Sequence, residues 1–187
     1  TFLNLPTEWY SLGVFYLSSI LVTLVELTLF AILITILSYF LSYQHAADAY
    51  TINWHRLEVY CFFTWLLCVY FQSIGQLIGA FLPDATEMAI ILSAIYFTFI
   101  TILNGFFVDT EANAVIGMAS SVISFKFISK GILYAIYGID RCDWTAEKAY
   151  FLDFFHSVRS QVANYAAYLL ANVAVVKACT FLRIFFK

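Results

Sequence analysis

Charge is what this chain lacks most. Only 11% of its 187 residues are Asp, Glu, Lys or Arg, against about 25% in an ordinary soluble domain. In their place stand 63% hydrophobic and 20% aromatic residues, with a mean hydropathy of +0.87. That composition excludes a water-soluble globule and describes a membrane protein. The net charge is −3, and no basic cluster is long enough to follow a phosphate backbone, which excludes nucleic acid as a partner. Cysteine is scarce as well. Cys61, Cys68 and Cys179 sit in apolar runs, where they are expected to pack as small hydrophobes, and only Cys142 lies in a polar segment. No disulfide framework can be read from four such residues.

The chemistry of a self-contained enzyme is also missing. The chain has no GxxxxGK[ST] phosphate loop. Its three histidines and four cysteines show no metal-ligand spacing, and its serines have no partnered histidine. His45 and His55, on either side of Asp48, read as solvated loop residues. There is no N-x-[ST] sequon, internal repeat or low-complexity tract. The chain opens on Thr1 without a basic leader, so it reads as a processed or partial piece of something longer.

What is present is apolar sequence in lengths that match a bilayer. A helix crossing about 30 Å of hydrocarbon needs roughly 20 apolar residues. Four stretches qualify: 14–40, interrupted by Glu26; 59–82, stopped by Pro83 and Asp84; 88–107; and 162–182, where Lys177 is expected to snorkel to the headgroups. A fifth patch, 114–132, carries four serines with Lys126 and Lys130, which fall four apart on one helix face. It suits a helix dipping into the membrane against protein or lying in the interface, with an ordinary amphipathic surface helix as the alternative. Residues 133–161 then form an external loop. Trp9, Tyr10, Tyr16, Tyr43, Trp54 and Tyr60 lie where spans meet headgroups. Lys177, Arg183 and Lys187 favour a cytoplasmic C-terminus, although five cations of the third loop then fall outside. Glu26 is expected to face protein or water rather than lipid, or to be a packed, protonated carboxyl, and Lys126 and Lys130 are possible partners for it.

Several strings now fall in a recognisable order. Glu8-Trp9-Tyr10-Ser11 with Tyr16-Leu17-Ser18, Ser38-Tyr39-Phe40, Ser73-Ile74-Gly75-Gln76-Leu77-Ile78-Gly79, Asn104-Gly105-Phe106-Phe107-Val108 and the stretch 120–131 follow one another along the chain. In this order they resemble the C-terminal part of the membrane domain of half-size ABC transporters of the G (White) subfamily. The fourth string is similar to that family's "GGFF" signature. Tyr137-Gly138-Ile139-Asp140-Arg141 is similar to a "YGLDR" string of its sterol-exporting branch. The chain departs from the family at Leu24-Val25-Glu26, where relatives often have a proline, at Phe125, and in a loop after Arg141 that keeps one cysteine.

The resemblance implies an all-α membrane protein, an ABC-2 type transmembrane domain fragment with four transmembrane helices and a re-entrant or interfacial helical segment before the last. It implies a nucleotide-binding domain, with ATP and magnesium, outside this sequence, and a second half-transporter as homo- or heterodimer partner. It places a substrate cavity at Phe97, Thr98, Thr101 and Asn104, an external gate at Phe106 and Phe107, and coupling to the nucleotide-binding domain at Glu8 and Tyr10. Lys126 and Lys130 belong to the re-entrant segment. The GxxxG of Gly75 and Gly79 is expected to allow close packing inside one domain. The expected activity is ATP-driven movement of a lipid or sterol across a plasma or organelle membrane. A White-type transporter of pigment precursors, or a four-span scaffold or channel without an ATPase, are the alternatives.

Overall fold

The computed structural model describes residues 11–41, 54–103, 125–137 and 161–186. Five helices occupy them: α1 (Leu12–Leu41), α2 (Trp54–Phe81), α3 (Thr86–Ile102), α4 (Phe125–Tyr137) and α5 (Val162–Phe185). Three, over 13–39, 54–81 and 162–185, are long and apolar enough to cross a membrane. α3 is a shorter apolar helix of 17 residues. α4 comprises 13 described residues, about 20 Å of helix at roughly 1.5 Å per residue.

Hydrocarbon forbids unsatisfied backbone, so helices are the available solution, and the hydroxyl residues within them follow the same rule. Thr23, Thr28, Thr64, Ser73, Ser93 and Thr180 each donate to a carbonyl one turn back, at 2.7–2.9 Å. Folded onto their own helix in this way, they cost little in an apolar surround.

α2 lies at the centre and packs against all four other helices. α1 runs antiparallel to it: the Trp65 indole donates to Thr28 Oγ1 at 3.1 Å and the Tyr60 hydroxyl to Ser38 Oγ at 3.1 Å. α3 is fastened by the Tyr70 and Tyr96 hydroxyls, 2.7 Å apart. α5 runs parallel to α2, with Lys177 Nζ donating to Gln76 Oε1. At the same end of the bundle Tyr16 of α1 donates to the Lys177 carbonyl at 3.1 Å. Phe63, Leu66 and Tyr70 of α2 make the buried core with Ile100 of α3, Ile128 of α4 and Leu169 of α5.

α4 descends along α2 in the opposite sense, with Phe125 against Phe71, ring centroids 5.7 Å apart, and Gly131 against Phe63. Its first residue therefore meets α2 well inside that helix rather than at an end. The helix also continues past 132, the expected end of the dipping segment, as far as Tyr137. The reason is packing: Gly131, Tyr134 and Ala135 are all buried, so the contact with the bundle carries the helix into what the sequence reads as external loop.

Other expectations are corrected. Gly75 and Gly79 are exposed and a Cβ at either would meet nothing within 4 Å, so this GxxxG makes no close approach inside the described bundle. The close approach occurs at Gly131, where a Cβ would fall inside the Phe63 ring. Lys177 turns onto Gln76 instead of snorkelling outward, because a side-chain amide oxygen lies within its reach on α2. Cys179 is exposed, whereas Cys61 and Cys68 are half-buried. Tyr16 and Tyr60 spend their hydroxyls on neighbouring helices rather than on headgroups; Trp54, 67% exposed at the start of α2, keeps the character of an interfacial anchor.

The two glycine environments predict opposite responses. Gly131→Ala should destabilise the protein by about 1–3 kcal/mol, because Phe63 is enclosed and the added methyl overpacks the contact. Gly75→Ala should be neutral or stabilising by up to about 1 kcal/mol, the ordinary gain of alanine over glycine in a helix. Thermal unfolding of the two variants in the same detergent measures both.

Candidate functional site

α3 has two faces of different character. Tyr96 and Ile100, four residues apart, point at α2: Ile100 is fully buried and Tyr96 holds the hydroxyl pair with Tyr70. Phe97, Thr98 and Thr101 fall on the other side, with Phe97 52% exposed and Thr98 exposed. The sequence spacing alone separates them, because positions 97, 98 and 101 share one arc of a 3.6-residue helix and 96 and 100 another.

The threonine hydroxyls are directed by their own helix. Thr98 Oγ1 donates to the Ala94 carbonyl at 3.0 Å, and Thr101 Oγ1 to the Phe97 carbonyl at 2.8 Å. Each proton is committed, while the oxygen keeps lone pairs. Toward anything resting on this face, the two residues are hydrogen-bond acceptors beside methyl groups, not donors.

Phe97 is not isolated. Its ring lies 5.4 Å from that of Phe71 on α2, and Phe71 in turn lies 5.7 Å from Phe125 at the start of α4. Both contacts are tilted, the geometry aromatic quadrupoles favour, so three helices meet in one run of rings. Phe71 was not singled out by sequence, and Phe125 stood out only as a departure from the family pattern. Only the register of α2 and the antiparallel approach of α4, neither visible in one-dimensional spacing, bring them to Phe97.

Of the remaining expected site residues, Asn104, Phe106, Phe107, Glu8 and Tyr10 lie outside the described residues. Lys126 is buried and Lys130 half-buried on α4. Glu26 is exposed on α1, so among the described residues nothing encloses its carboxylate as a packed, protonated group would require. Among the described residues no group of three or more His, Cys, Asp or Glu could hold a metal ion.

Residues 4–138, well over half of the chain, match the family model for the ABC-2 type transporter. The chain belongs to the ABC-2 type transporter family. No curated protein matches it. As an ABC-2 domain it is an integral, multi-pass membrane component of a transporter, and it is not itself catalytic. The matched residues stop at 138, yet α5, which follows, is part of the same ABC-2 bundle: Tyr165 and Leu169 belong to its buried core.

The seat of α3 on the ABC-2 bundle rests on the tyrosine pair. Tyr70→Phe and Tyr96→Phe should each lower stability by about 0.5–1.5 kcal/mol. The double variant should cost less than the sum, since either single change already removes the hydroxyl contact. Unfolding measurements on the four proteins of this cycle read the coupling directly.

Proposed function

We propose that this ABC-2 domain is the membrane half of an ATP-driven exporter of a lipid or sterol, working by alternating access with a second half-transporter. The observation that carries the reading is the outward face of α3. It offers an exposed aromatic ring and two acceptor oxygens in an otherwise apolar wall, which suits a flat apolar molecule with a single donor such as a hydroxyl. Phe97, Thr98 and Thr101 bind the substrate in this reading, with Asn104 at the end of the same stretch, and Phe106 and Phe107 closing the path towards the outside. Glu8 and Tyr10 couple the domain to the nucleotide-binding domain. ATP and magnesium act there in this reading, the sequence of this chain holding no GxxxxGK[ST] loop.

Transport requires that substrate bind the inward-open and outward-open states unequally, because a ligand of equal affinity shifts nothing. A substrate ring on Phe97 touches α4 through Phe71, so a change in the tilt of α4 would alter the binding surface itself. The resemblance to the G subfamily and the Tyr137-Gly138-Ile139-Asp140-Arg141 string support a sterol over other lipids.

The test is ATP-dependent movement of a labelled sterol analogue into vesicles carrying the full-length transporter, with tryptophan and guanine as competitors from the pigment-precursor class. The sterol analogue should move and the others should not. Phe97→Ala should weaken apparent affinity about tenfold, the loss of a central aromatic contact. Leu92→Ala, at an exposed position on a different arc of α3, should leave it unchanged. Transport of tryptophan or guanine in place of the sterol would overturn the substrate assignment.

A further inference from the structure

At the end of the bundle where α2 and α5 finish stand two cations, Lys177 and Arg183, that form no ion pair among the described residues. Lys177 Nζ donates to Gln76 Oε1, a neutral acceptor that leaves the ammonium charge uncompensated. Arg183, in the last turn of α5, lies with its guanidinium carbon 5.4 Å from the centre of the Phe81 ring. Its Nε is buried and has no hydrogen-bond partner among the described residues. Asp84 and Glu87, the carboxylates of the turn joining α2 to α3 at this same end, are exposed and pair with neither cation.

We propose that this end of the domain binds the headgroup phosphate of an anionic phospholipid, with Arg183 as the principal contact and Lys177, less than two turns earlier on the same helix, adding its charge. Three observations converge on that ligand. A guanidinium presents a planar fork of N–H donors that matches phosphate oxygens, and no hydrogen bond among the described residues uses those of Arg183, whose terminal Nη groups lie beyond the buried Nε. The Phe81 ring, 5.4 Å from the guanidinium carbon, holds the cation at this end through its quadrupole without taking a hydrogen bond from it. The surroundings are greasy: Phe81, Leu182, Phe185 and Phe186 are all exposed apolar side chains at this end. Acyl chains cover such a surface, whereas free phosphate covers none of it, so the anion here is lipid-borne. Basic pockets between transmembrane helices at the cytoplasmic side are a general means of holding acidic headgroups, and the cations at this end favour that orientation.

The experiment uses the full chain purified in neutral detergent and exposed to equal amounts of phosphatidylserine and phosphatidylcholine. Retained lipid is then counted by mass spectrometry and the unfolding temperature is recorded with each lipid alone. The wild type should retain phosphatidylserine in preference and unfold at higher temperature with it. Arg183→Gln should lose about five- to tenfold of that preference, the effect of one cation–phosphate contact. Lys177→Gln should lose less, and Arg183→Lys, which keeps the charge but not the fork, should fall between Arg183→Gln and the wild type. If Arg183→Gln does not fold, the wild-type comparison of the two lipids and the Arg183→Lys protein still decide. Equal retention of both lipids by the wild type, or an undiminished preference in Arg183→Gln, overturns the proposal. So does an equal rise in unfolding temperature from the soluble headgroup glycerophosphoserine, which would show that free phosphate is the ligand. These outcomes do not depend on whether a sterol is transported.

Discussion

Inside hydrocarbon a polar group must find its partner within the protein, and that constraint organises the whole bundle through α2. At roughly five-residue intervals this helix carries Tyr60, Trp65, Tyr70 and Gln76, and each meets a polar atom on a neighbouring helix. Apolar contact cannot select one helix arrangement over another when lipid tails are as greasy as leucine. Four directed contacts can. They fix the register of α1, α3 and α5 against one axis, and the Phe63–Gly131 contact does the same for α4 by shape rather than by hydrogen bonding.

The asymmetry of α3 follows from that arrangement. The tyrosine pair, the buried Ile100 and the ring contact of Phe97 with Phe71 hold it to α2, and among the described residues no other helix crosses its far side closely enough to bury Phe97, Thr98 or Phe99. A helix held along one edge keeps its other residues available to a ligand. The aromatic run Phe97, Phe71, Phe125 ties that available face to α4, the short helix whose first turn sits partway along α2. A substrate and a moving helix would thus share a common wall, the physical requirement for binding to favour one state of a transporter over another.

Much of this was legible from residue order. The long apolar runs and the stop at Pro83 and Asp84 follow from composition, while the face of α3 with Phe97, Thr98 and Thr101 was pointed to by the family resemblance. Partner choice was not. Tyr60 and Tyr16 have the composition of interfacial anchors, and only the approach of α1 makes them interhelical donors. Gly75 and Gly79 carry the spacing of a packing motif while the actual close approach falls on an isolated Gly131. A motif states that backbones can approach; which helix arrives is decided by the whole set of contacts. The extension of α4 to Tyr137 was hidden for a similar reason, since its buried side is defined by α2 and not by its own sequence.

Two features of the outer surface bear on how the domain is completed. Glu26 lies exposed among the apolar side chains of α1, and a charge facing the middle of a bilayer costs about 2.5–3.5 kcal/mol even on the lenient insertion scale. Gly75 and Gly79 leave a shallow, open strip on α2, a surface that lipid fills poorly and another helix fills well. Neither feature stabilises the bundle described. Each becomes favourable once protein or water covers it: the carboxylate then gains a partner, and the glycines gain the close van der Waals contact their missing side chains permit. Each position that is costly for the described bundle alone therefore has something to gain from being covered, and α1, the most lipid-like helix by composition, carries the one charge that argues against lipid around Glu26.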